Sequence, residues 1–150
     1  MKIKFPGCLL LLFVLALVLC GCQDGGEGPV QASLGEPFTL GLGESATIHE
    51  RGLNLTFAEV IRDMRCPTRV LCEVDGPVEI LVILQIQGSE ATRYEMNPEQ
   101  VLVPLGWAPH EVRFLEYVVR LVSVNPFPET LKDKESYEDY QATFVITEGE

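Results

Sequence analysis

Two thiols, two imidazoles and a surplus of carboxylates are the side chains in this sequence that could carry chemistry. Cys66 and Cys72 lie in the stretch RDMRCPTRVLCEVDG with five residues between them. Paired thiols serve metal binding, dithiol exchange or a structural bridge. Zinc wants four ligands, and neither His49 nor His110 stands at metal-site spacing from the thiols, so no metal is expected. Exchange sites usually carry two intervening residues at a helix start, whereas here five intervene and Pro67 follows the first cysteine. Arg65 and Arg69 flank the pair, and their charge would favour thiolates in an open bridge, which keeps redox chemistry as an alternative. The remaining bases are His49 beside Glu50 and His110 beside Glu111, each read most simply as a surface residue. A nucleophilic triad also needs a placed nucleophile, and no serine sits in a strand-to-helix elbow. Neighbouring carboxylates such as Glu73 with Asp75, or Glu138 with Asp139, carry little information among 22 acidic residues. CEVDG lacks the alternate oxygen ligands of a calcium loop, and no glycine-rich loop follows a strand and opens a helix. No cofactor is expected, and an enzyme (redox through Cys66 and Cys72, or a hydrolase) is the lesser reading.

What the thiols do depends on the compartment, and the first residues bear on that. Met1-Lys2-Ile3-Lys4 is a short basic region, followed by a 13-residue run from Cys8 to Cys20 without any charge. That length suits the apolar core of a signal peptide and falls short of the roughly 18–20 residues of a spanning helix. Leu19-Cys20-Gly21-Cys22 resembles the bacterial lipobox, in which a small residue precedes the cysteine that is acylated with palmitate-like chains. Cys20 departs mildly from the usual residue at its position, and Cys22 is the expected lipidation site. The resemblance implies a signal peptide over 1–21, a lipidated cysteine and flexible tether over 22–36, and a single β domain over 37–150. Gln23 to Pro29 holds three glycines and no large apolar side chain, which suits a tether. The domain is then expected in a bacterial cell envelope, lipid-anchored on the extracytoplasmic side at an outer membrane or the cell surface. Two or more acyl chains anchor stably, since each buried methylene contributes about 0.8 kcal/mol.

Removal of Lys2 and Lys4 lowers Lys plus Arg from 11 to 9 against 22 acidic residues, leaving a charge of −13. Such a polyanion has no electrostatic attraction to nucleic acid. In an oxidising compartment the two thiols left in the domain are most simply a disulfide, Cys66 to Cys72. So small a ring is worth roughly 2.4 kcal/mol by closure entropy.

The elements that would position these groups read as strands. Phe38, Leu40 and Leu42 alternate with polar or small residues, and Gly43-Glu44 reads as a hairpin turn into SATIHE. Leu53, Leu55 and Phe57 alternate until Ala58-Glu59, where the broken pattern predicts a bulge. Ile80 to Leu84 is apolar on both faces, as expected of a central strand covered on each side. Gly88-Ser89 predicts a two-residue hairpin, and Glu111 to Val124 is the longest β-rich run, stopped by Pro126 and Pro128. Gln141 to Thr147 closes the chain as the last strand. The expected class is all-β: a β-sandwich or Greek-key barrel of about eight to nine strands. The alternative, α+β with one short helix near 129–140, requires Glu129 to Tyr140 to pack as a helix. The expected core comprises Leu55, Phe57, Ile80, Val82, Leu84, Val119, Leu121 and Phe144.

Asp63, Arg65, Cys66, Pro67, Cys72 and Gly76, with FTLGLGESATI, YVVRLVSVNPFP and DYQATFVI, resemble a group of small bacterial exported proteins and lipoproteins. The similarity spans most of Phe38 to Ile146. Relatives often carry a tryptophan two residues after the second cysteine, where this chain has Val74. The group implies the β fold and the disulfide and brings no activity with it. A binding or structural module for an envelope protein or small ligand is therefore the expected function. Its candidate loops are Thr68 to Leu71, with Arg69, and Leu105 to His110, with Trp107 and the nearby Arg113.

Overall fold

A computed structural model describes residues 28–48, 52–99, 108–134 and 136–149. Among them are nine strands: β1 (Val30–Gln31), β2 (Phe38–Gly41), β3 (Ser45–Ile48), β4 (Leu53–Asp63), β5 (Val78–Ile86), β6 (Thr92–Met96), β7 (Glu111–Phe114), β8 (Tyr117–Asn125) and β9 (Gln141–Glu148). They form two sheets, ordered β1-β3-β4-β5-β6 and β2-β9-β8-β7. The architecture is an all-β sandwich. The stretch expected to be helical in the α+β alternative contributes a single 3₁₀ turn, Leu131–Lys134.

Alternation builds the core. Leu53, Leu55 and Phe57 of β4 and, beside them, Val78, Ile80, Val82 and Leu84 of β5 share one core with Tyr117, Val119, Leu121, Phe144 and Ile146 of the second sheet. Every residue of the expected core is buried. The bulge expected at Ala58 is present, and a second one follows at Ile61. Strict alternation beyond Phe57 would have turned Glu59 and Ile61 inward. The first bulge buries Val60 in their stead, and the second returns the phase so that Asp63 points inside. β8 repeats the device with a register shift between Leu121 and Ser123, which leaves Val122 outside and Val124 inside.

Five local expectations change. β2 and β3 do not pair as a hairpin: they belong to different sheets, and the corner at Gly43 (φ 83°) carries the chain across. The Gly43 amide donates to the Phe57 carbonyl at 2.7 Å and holds that corner down. The run Glu111 to Val124 is two strands, folded back at Leu115-Glu116. β5 is central but not covered twice, because the sandwich has two layers; Leu81 and Ile83 on its outer face stay half-buried. The turn after β5 is centred on Gln87-Gly88, with the Ser89 amide donating to Ile86 O at 2.9 Å. Strand pairing also begins early: Val30 and Gln31 pair in parallel with Ala46 and Thr47, inside the segment read as tether. The signal region, Cys22, His49 and Trp107 lie outside the described residues.

Candidate functional site

Asp63, Arg65, Cys66 and Pro67 lie at one end of the sandwich, where β4 ends and β8 meets β9. Asp63 and Arg65 are both buried, which demands pairing, since a charge without a partner would not survive removal from water. The Arg65 guanidinium forks onto the carboxylate, with Nε 3.0 Å from Oδ1 and Nη2 2.6 Å from Oδ2. Its remaining donors reach Val124 O at 2.8 Å and Pro126 O at 2.9 Å, the carbonyls where β8 stops. The Tyr140 hydroxyl donates to Asp63 Oδ2 at 2.7 Å from just before β9. Phe127 lies against the guanidinium, 4.8 Å from Cζ to the ring centroid. Burial alone would raise the Asp63 pKa, but the hydrogen bonds from Arg65 and Tyr140 outweigh it and hold the carboxyl below its usual range. Burial first, and then the bond to Asp63, push the Tyr140 hydroxyl well above the ordinary tyrosine value. Among the described residues no buried side-chain nitrogen or oxygen lacks a partner. A knot saturated in this way positions chain; its polar atoms are already engaged.

What it positions is the cysteine loop. Cys66 and Cys72 stand as a disulfide pair with Cα atoms 5.9 Å apart, inside the span a bridge allows. The Cys66 amide donates to Asp75 Oδ1 at 2.7 Å, closing the loop's base. Thr68 and Arg69 amides donate to Pro128 O and Glu129 O at 3.1 and 3.0 Å, and Arg69 pairs with Glu129 at 2.8 Å. Asp133 in turn accepts the Thr130 and Glu129 amides, which lower its pKa and fix the second segment. Gly76 is required by packing: a Cβ there would stand 2.9 Å from Met64 Cβ. The two fastened segments, 64–76 and 126–134, form a cap that turns Leu71 (102% exposed), Val74 (72%) and Leu131 (64%) into solvent. Phe127 and Met64, each part-exposed, flank them. Beside the cap, Pro126, Lys132, Asp133, Ser136, Asp139 and Tyr140 line an open hollow of about 250 Å³.

The other candidates are scattered. Arg69 belongs to the cap, where its charge is met by Glu129. His110 immediately precedes the edge strand β7, its carbonyl accepting the Leu121 amide at 2.8 Å. Arg113 pairs across to Val118, near the opposite end of the sandwich. The chain on either side of residues 100–107 is held by two buried groups. Asn97 donates to Ala108 O and accepts the Glu99 amide, and Glu79 accepts the Ala108 amide at 3.4 Å while bound to Arg62 at 2.7 Å. Sequence reasoning had no role for Asp63, Arg65 and Tyr140 as a unit. The available signal was an Asp-x-Arg at the end of an apolar strand, but Tyr140 lies 77 residues from Asp63 along the chain. No protein-family model, curated protein or solved structure matches the chain.

Proposed function

We propose that the chain is a lipid-anchored protein of the bacterial envelope, whose β-sandwich acts as a binding or structural module rather than as an enzyme. Leu19-Cys20-Gly21-Cys22 after a charge-free run supports the anchor. Strand pairing that starts at Val30, eight residues beyond Cys22, supports a domain held close to the membrane that carries it. The observation that carries the module reading is the cap. A buried ion pair, a tyrosine and the cysteine pair are all used to hold a loop whose apolar tips face outward. Rigid scaffolds that present loops in this manner serve recognition, because ordering has already been completed before contact. The cysteine pair is proposed to be oxidised in the cell and to act as a staple.

The test is Cys22→Ser in the native host, grown with labelled palmitate. The wild type is expected to take up label and to sediment with membranes, and the variant to lose both. A variant that stays membrane-bound with its first 21 residues attached would show a spanning helix and sink the lipoprotein reading.

A further inference from the structure

We infer that the cap is the membrane-facing end of the domain and rests its apolar tips in the lipid interface. The inference rests on the lipid-anchored reading above. Of the eight large apolar side chains exposed among the described residues, five belong to the two cap segments: Met64, Leu71, Val74, Phe127 and Leu131. Clustering of this kind marks a surface that leaves water in use.

The direction of β1 says which surface it meets. β1 runs parallel to β3, and β3 runs antiparallel to β4. Stepping back from Gln31 to Val30 therefore moves from the level of Asn54 to that of Leu55, toward the end of β4 that leads into the cysteine loop. The chain preceding Val30 is aimed at the cap. Val30 is level with Leu84 of β5 by way of Ala46 and Leu55, while Asp63 is level with Val78, six residues along that strand. That height is about 20 Å at the rise of a strand. The eight residues from Cys22 to Val30 can span at most about 28 Å, enough to pass the level of Asp63 at the base of the cap by about 8 Å. A lipid at Cys22 and a second, apolar contact at the cap give the two-point attachment that fixes a domain on a bilayer. The cap segments balance Arg65, Arg69, Lys132 and Lys134 against Glu73, Asp75, Glu129 and Asp133, so the headgroups that fit are zwitterionic rather than anionic.

The experiment uses the full lipidated chain in phosphatidylcholine vesicles containing a fraction of bromine-labelled acyl chains. A Trp107→Phe background removes the native indole, and Leu71→Trp, Leu131→Trp or Leu115→Trp supplies one reporter. Leu115 is exposed at the far end of the sandwich, in the β7–β8 turn, and is the control. Circular dichroism checks each fold. Residues 71 and 131 are expected to lose most of their emission to the bromolipid and to shift blue, with residue 115 unaffected. Hydrogen exchange on the unmutated chain provides a second readout, with slowed exchange over 68–74 and 127–131 on vesicles and none over 113–118. An anchored protein whose cap reporters stay bright and whose cap amides exchange unchanged overturns the inference and leaves the cap to a protein partner. A chain that does not stay with vesicles after lipidation overturns the anchored reading itself.

Discussion

Asp63 and Arg65 illustrate how a buried charge becomes a fastening. Each would be intolerable alone, and removing one partner of such a pair typically costs about 3–5 kcal/mol because the other is left uncompensated. Tyr140 is the subtler test. Tyr140→Phe keeps the ring against its neighbours and deletes one hydrogen bond to a carboxylate, an expected loss of about 1.5–3 kcal/mol by urea unfolding. The same change alters the acid limb of stability. The Asp63 pKa in the folded protein lies below the ordinary 3.8, so its contribution is complete above that value and is lost as pH falls through the folded pKa. Removing a hydrogen bond that lowers it brings folded and unfolded values together. Unfolding midpoints of Tyr140→Phe measured below pH 4 should therefore fall less steeply with acid than those of the wild type. An equally steep limb would mean that Tyr140 does not act on Asp63.

At the scale of elements, the cysteine loop and the β7–β8 turn make opposite use of local chemistry. The loop is tied by the cysteine pair, but also by the Thr68 and Arg69 amides to 128–129 and by Cys66 to Asp75. Loss of the bridge in Cys66→Ala, Cys72→Ala is therefore expected to cost about 2 kcal/mol, near the closure entropy of so short a ring, with the β circular-dichroism signal retained. Collapse of that signal at room temperature would make the bridge a condition of folding. The turn at Leu115-Glu116 has a backbone tie from the Gly149 amide to Glu116 O at 2.6 Å, and no turn-forming residue. Leu115 sits at φ 55°, a conformation that costs a leucine about 1 kcal/mol and glycine almost nothing. Since Leu115 buries little, Leu115→Gly should raise stability by about 0.5 kcal/mol once the greater freedom of the unfolded glycine is subtracted. A lower melting temperature would show that the side chain contributes more than its exposure suggests. The strand break was illegible for the same reason: nothing between Phe114 and Tyr117 announces a turn, and only the return of β8 along β7 shows it.

For the whole molecule, the two sheets share one interior, so a cavity between them should weaken both at once. Phe57 is completely buried, and Phe57→Ala is expected to cost about 3–5 kcal/mol while unfolding remains a single transition by near- and far-ultraviolet circular dichroism. Separate transitions would mean that the sheets stand independently. The all-β class, the core residues and the bulge after Phe57 were legible in the sequence because they rest on alternation, which is local and needs only neighbours along the strand. The Cys66–Cys72 pairing was legible because these are the two cysteines inside the strand-forming part of the sequence. Which strand crosses to which sheet was not, because Gly43 turns the chain equally well within a sheet or between sheets. Nor was the knot of Asp63, Arg65 and Tyr140 legible. Its hydrogen bonds join residues from β4, the end of β8 and the start of β9, and those groups become neighbours only when the two sheets close over the core. The sequence by itself determined which faces must be hidden; the packed sandwich decided which end gathers the apolar tips, since that depends on where β4 and β8 stop relative to one another.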